Sequence, residues 1–136
     1  PSKVTSTRII TKNKKTFKYG KMEIRAKAAV GKGTWSAGWM LGDGTGDQRG
    51  WPYDGEIDIM EAMSGGVPQT IHCERFNNQS WSHGNKNYAT GLTQAKSAEA
   101  YHTYGIIWTE NERNLSQNKC PKLSGQTNIF SLQLTE

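Results

Sequence analysis

Between Met22 and Ala28 the chain alternates strictly: Met22, Ile24, Ala26 and Ala28 are apolar, and Glu23, Arg25 and Lys27 between them are charged. A period of two puts each set on its own face of a pleated strand, so the segment predicts a half-buried β-strand. Gly31-Lys32-Gly33 then predicts a turn. Trp35–Leu41 is the next extended stretch, Gly42–Gly50 a Gly/Asp loop, and Gly55–Ala62 a further strand closed by the turn Ser64-Gly65-Gly66. Thr5–Ile10, Gln69–Glu74 and Tyr101–Thr109 read as short strands, Thr11–Thr16 as a turn, and Thr93–Ala100 as the one helical candidate. Several short strands separated by turn signals, without an internal repeat, predict an all-β sandwich or barrel. From Arg113 onward the chain is rich in Ser, Asn and Gln, holds Pro121, and offers one strand candidate, Ile129–Leu134.

At 136 residues the chain is one domain at most. Hydrophobic residues make up only 34%, yet five Trp, five Tyr and three Phe supply apolar surface for a core, and fifteen Gly favour turns. No apolar stretch is long enough to cross a bilayer, so no membrane partner is expected. No basic-then-apolar leader begins at Pro1. The net charge of +5 is unevenly spread: ten Lys/Arg lie between Lys3 and Lys32 against the single acid Glu23. Such a cluster can attract nucleic acid or an anionic polysaccharide. Aromatic residues do not interleave with it, so a solvated face with lysines guarding strand edges is the better reading, and no nucleic-acid partner is expected. Cys73 and Cys120 are too few for a disulfide framework, and pairing or two separate thiols both stay open.

The most informative stretch is Asp54-Gly55-Glu56-Ile57-Asp58-Ile59-Met60-Glu61. Strand alternation puts Glu56 and Asp58 on one face and Ile57 and Ile59 on the other. Continued regularly, it would send Glu61 into the isoleucine core, where a charge is costly. One extra residue in a β-bulge near Ile59-Met60 resolves the conflict and lines up three carboxyls. Carboxyls this close push one another's pKa values apart, so one can stay ionised while another keeps its proton. A retaining glycosidase requires that division. The rival readings are a plain amphipathic strand with a solvated acidic face and a metal site on Glu56, Asp58, Glu61 and His72. No paired His or Cys spacing supports the latter, so no metal and no cofactor are expected. Trp35, Trp39 and Trp51 fall close to the acids in sequence, and flat indole faces suit pyranose rings.

Three runs, Tyr19–Lys27, Gly33–Gly42 and Trp51–Glu61, together resemble glycoside hydrolase family 16, most closely its laminarinase branch. The resemblance implies a jelly-roll β-sandwich of two curved antiparallel sheets with a cleft across the concave face. Its motif Glu-x-Asp-x-x-Glu, whose extra residue is the bulge, falls on Glu56, Asp58 and Glu61. The implied roles are nucleophile for Glu56, general acid/base for Glu61, and orientation of Glu56 for Asp58. It also implies glucan contacts for Trp35, Trp39, Trp51 and Arg8, a place near the catalytic centre for His72, and a core role for Trp108. The implied activity is retaining, endo-acting cleavage of β-1,3-glucan or mixed β-1,3/1,4-glucan by a secreted, monomeric enzyme. A lectin-like glucan-binding module without turnover is the alternative from another class.

The resemblance covers Thr5 to about Glu112. It leaves residues 113–136 as a divergent tail and makes 1–112 a partial sandwich, as in a truncated or frame-shifted version of a longer enzyme. Asp43-Gly44-Thr45-Gly46-Asp47 has the wrong spacing for an EF-hand and reads as a solvated loop, so bound calcium is not expected.

Overall fold

A computed structural model of the chain describes residues 5–29, 31–43, 51–63, 66–72, 85–89, 92–109, 113–114 and 128–135; for 85–89, 113–114 and 128–135 it gives the strand path alone. Cys73, Cys120, Ser64, Gly65, the loop over 44–50, the last two residues of the strand expected to reach Glu74, and most of the tail lie outside the described residues.

The strands are β1 (Ser6–Ile10), β2 (Thr16–Phe17), β3 (Gly20–Ala26), β4 (Ser36–Gly42), β5 (Glu56–Ala62), β6 (Pro68–His72), β7 (Asn85–Ala89), β8 (His102–Trp108), β9 (Arg113–Asn114) and β10 (Asn128–Thr135), with the helix α1 (Gln94–Glu99) between β7 and β8. The larger sheet runs β1-β10-β4-β5-β6-β7, with β2 also paired to β10, and the smaller runs β3-β8-β9. Neighbours pair antiparallel throughout. The fold is the all-β jelly-roll sandwich that the sequence implies.

The alternation read in β3 is realised: Met22, Ile24, Ala26 and Ala28 turn inward while Glu23, Arg25 and Lys27 are exposed. β8 alternates in the same way, with Tyr104, Ile106 and Trp108 buried and Thr103, Gly105 and Ile107 exposed. These inward residues of the smaller sheet meet Met40, Ile57, Ile59, Met60 and Ile71 of the larger sheet in one core cluster. Burying such side chains stabilises the sandwich by about 1.5–3 kcal/mol each relative to exposure. Trp108 is core, and Tyr19 packs against it edge-to-face with ring centroids 5.3 Å apart. That contact holds Tyr19 in a left-handed conformation, φ 64°, unusual for a bulky residue.

The described basic residues from Lys12 to Lys32 are exposed. One of them, Arg25, lies 4.5 Å from the ring centre of Tyr101. The helix expected over Thr93–Ala100 is α1, with the Thr93 side chain accepting from Lys96 N at 3.1 Å as its N-cap. The strand expected over Ile129–Leu134 is β10. Its neighbours are the surprise: it lies between β1 and β4, pairing Asn128 with Gly42 and Gln133 with Ala37. β2, β7 and β9 have no counterpart in the sequence reading.

Candidate active site

The site is built on an irregularity in β5. Going along β4, Ala37 pairs with Glu61 and Gly38 with Met60, but Trp39 pairs with Asp58 and Leu41 with Glu56. Ile59 is the extra residue, so the bulge sits where the acid spacing requires it. Ile57 and Ile59 are 0% exposed and Met60 1%. Glu61 has returned to the face of Glu56 and Asp58. Had the strand stayed regular, Met60 would face the cleft and Glu61 the core.

Across from the bulge stands Gly38. A Cβ there would lie 2.3 Å from Ile24 Cδ1 of the smaller sheet, so the bare backbone lets the two sheets approach. On the other side of β5, the Gln69 side-chain amide donates to Ile59 O at 2.9 Å. At the end of β4, Gly42 N donates to Gly55 O at 2.9 Å and Gly55 N to Pro52 O at 3.0 Å. A Cβ on Gly42 would come within 2.2 Å of Asp54 O. The close approach at Gly42 therefore ties the turn 51–55 to the sheet and fixes where Trp51 stands.

Trp35, Ala37, Trp39, Glu56, Asp58 and Glu61 line an open cavity of about 230 Å³. Each outer acid has an indole. The Trp51 Nε1–H donates to Glu56 Oε2, and the Trp35 Nε1–H donates to Glu61 Oε1 at 3.1 Å. Both indoles are about half exposed, at 48% and 50%. Asp58 lies between the glutamates, 2% exposed and within hydrogen-bonding reach of both. His72, opposite Glu56 on β6, places Nε2 3.0 Å from Asp58 Oδ2, and the Trp51 ring lies 5.7 Å from its own. Arg8 stands over Trp39, 4.6 Å from the ring centre. All eight residues singled out in the sequence thus converge on one face.

Burial raises the pKa of Glu56 to about 7, with the neighbouring Asp58 charge adding to it, while His72 and the Trp51 N–H act in the other direction. Burial likewise raises Asp58 to about 7, helped by the charge of Glu61. Glu61 is raised as well, chiefly by burial, against the lowering effect of the Trp35 N–H. Near neutral pH the cluster therefore carries fewer than three charges and exchanges protons as a set. Ligand atoms of Glu56, Asp58 and His72 also lie within 4.8 Å of one another, close enough to hold a cation. The His72 Nε2 is already hydrogen-bonded to Asp58 Oδ2.

Sequence reasoning missed Gln69 and Gln94. The Gln94 amide donates to Ala62 O and Thr34 Oγ1, both at 3.2 Å, tying α1 to the end of β5 and to the residue before Trp35. Lone glutamines in polar stretches carry no local signal of such bridging.

The sequence matches the profile of glycosyl hydrolases family 16 over residues 2–119. It is 38% identical over 110 residues to a beta-glucanase of Rhodothermus marinus, covering 79% of this chain and 38% of that protein. It is 39% identical over 119 residues to glucan endo-1,3-beta-glucosidase A1 of Niallia circulans, covering 79% of this chain and 16% of that one. The laminarinase catalytic domain of Thermotoga maritima superposes with a TM-score of 0.69 at 29% identity, covering 94% of this chain and 57% of its own. The chain spans less than two thirds of each of these proteins. With the bulged Glu-x-Asp-x-x-Glu strand at the centre of the cleft and residues 2–119 of the chain matching the profile, the chain belongs to glycosyl hydrolases family 16.

Proposed function

We propose that the chain carries the cleaving site of a retaining, endo-acting β-glucanase acting on β-1,3-glucan of the laminarin type or on mixed β-1,3/1,4-glucan. The observation that carries this reading is the bulge at Ile59, which brings Glu56, Asp58 and Glu61 to one face of the cleft. Retaining chemistry needs two carboxyls on the same scissile bond.

In the first step a Glu56 carboxylate oxygen attacks the anomeric carbon while Glu61 gives its proton to the glycosidic oxygen. The bond to the leaving sugar breaks and a glycosyl-enzyme ester forms. In the second step the Glu61 carboxylate takes a proton from water, whose oxygen attacks the anomeric carbon and releases Glu56. The order of roles follows the family motif. In the empty cleft the protons are shared through Asp58. A sugar developing positive charge at its anomeric carbon favours the ionised form of Glu56, and negative charge growing on the leaving oxygen favours a protonated Glu61. Asp58 between them passes that shift along, and His72 orients Asp58.

Trp35, Trp39 and Trp51 offer ring faces for glucose units, with Arg8 fixing Trp39. We read the protein as a monomeric, secreted enzyme that meets its polysaccharide outside the cell. The experiment is reducing-sugar release from laminarin, mixed-linkage glucan and cellulose-type glucan by the chain, Glu56→Gln and Glu61→Gln, with the anomeric configuration of the first product followed by NMR. Laminarin cleavage with a β product, lost in both variants, is expected. Glucan binding without cleavage in every version would assign the protein to the lectin-like alternative.

A further inference from the structure

The bulge that presents Glu61 leaves one residue, Ile59, without a partner in the ladders of its sheet. On the β4 side Ile59 has no pairing partner, because the register jumps from Met60 to Asp58. On the β6 side the ladder runs Glu56–His72, Ile57–Ile71 and Asp58–Thr70 and then ends. Ile59 is fully buried, so its carbonyl cannot turn to water. A buried carbonyl left unpaired destabilises by about 1–3 kcal/mol.

Gln69 fills that gap. On β6 it shares the inward face with the core residue Ile71, one position before the last rung of the ladder with β5. Its Nε2 donates to Ile59 O at 2.9 Å and lies 3.4 Å from Gly105 O on β8 of the opposite sheet. One primary amide thus reaches both sheets at the irregular residue.

We propose that Gln69 is a positioning residue for the acid/base: its amide caps the carbonyl of the bulge residue and thereby holds Glu61 on the cleft face. Without the cap, the strand satisfies Ile59 O best by moving toward regular pairing. Movement in that direction rotates Glu61 away from the scissile bond and Met60 toward it. Glu56 and Asp58 precede the bulge and keep their pairing with Leu41 and Trp39, so they stay in place. Loss of Gln69 therefore acts on proton donation more than on glucan binding or nucleophilic attack.

The inference rests on the β-glucanase reading for the role of Glu61. The test compares wild type, Gln69→Met, which keeps the length and removes the donor, and Gln69→Lys, which restores a donor. Gln69→Asn, one methylene short of the carbonyl, replaces Gln69→Met should that variant not fold. On laminarin, Gln69→Met is expected to lose kcat by ~10- to 100-fold with KM within about twofold, the scale of a reacting group displaced by about 1 Å. On an aryl β-glucoside oligosaccharide, whose phenolate leaves with little protonation, the loss of kcat/KM, which reports glycosylation, is expected to be several-fold smaller than on laminarin. Gln69→Lys is expected to recover part of the laminarin rate. An unchanged kcat on laminarin, an equal loss of kcat/KM on both substrates, or a loss confined to KM overturns the proposal while leaving the glucanase reading intact. If wild type cleaves no glucan, the functional reading fails, and amide hydrogen exchange then decides the cap by itself. Faster exchange at Met60 and Glu61 in Gln69→Met, with Ile106 unchanged, supports it, and identical exchange overturns it.

Discussion

Trp35 donates its indole N–H to Glu61 across 26 positions of sequence, at 3.1 Å. That hydrogen bond favours the charged carboxylate, and it opposes the burial that raises the Glu61 pKa. Trp35→Phe keeps an aromatic face for a sugar and removes the donor. The Glu61 pKa should then rise, so the alkaline limb of kcat/KM against pH moves upward. The rate at the optimum is expected to fall by about three- to tenfold through lost orientation. A pH profile of laminarin hydrolysis checks this, and an unmoved alkaline limb would contradict it.

Glu56→Gln and Glu61→Gln should separate by substrate. Removing the nucleophile abolishes turnover on any substrate, a loss of roughly 10³-fold or more. Removing the acid/base costs about 10²- to 10⁴-fold on laminarin but spares glycosylation by an aryl glycoside with a good leaving group. Burst kinetics on such a substrate should therefore appear in Glu61→Gln and be absent from Glu56→Gln.

Stability should fall as the pH rises through the range of the site carboxyls. Burial pushes the Asp58 pKa up to about 7 in the folded chain from its ordinary value of 3.8, so the folded chain binds more protons than the unfolded one between those values. Its stabilising contribution is complete below about pH 4 and is lost as the pH climbs through about 7. Asp58→Asn removes the charge, so it should raise Tm at pH 8 by the equivalent of about 1–3 kcal/mol, do little at pH 4, and flatten the profile, while lowering activity. A Tm series from pH 4 to pH 8 on both proteins measures it.

Gly42 and Gly38 should respond differently to alanine. At Gly42 the new Cβ meets the Asp54 backbone oxygen, which no side-chain rotation relieves. Gly42→Ala should cost about 2–4 kcal/mol and displace Trp51 from Glu56, so both Tm and activity drop. At Gly38 the obstacle is the Ile24 Cδ1 methyl. Gly38→Ala should cost less, about 1–2 kcal/mol, and combining it with Ile24→Val should recover part of that. Thermal melts of the single and double variants decide the order.

The sequence by itself determined the strands whose alternation is local, such as β3 and β8, and the face shared by Glu56 and Asp58. It also determined that Glu61 needs a bulge, because a period of two and the cost of burying a charge leave one local solution. Tertiary structure alone decided the rest. β10 enters between β1 and β4 through long-range pairing that no neighbouring residue encodes. The indole donors to Glu56 and Glu61 depend on where the turn 51–55 and the residues before β4 come to lie. Gln69 meets Ile59 O only after β6 has docked beside β5 and the smaller sheet has closed over both. Periodicity is a property of adjacent residues and is legible in one dimension, whereas a hydrogen bond between distant segments exists only once the sheets have packed.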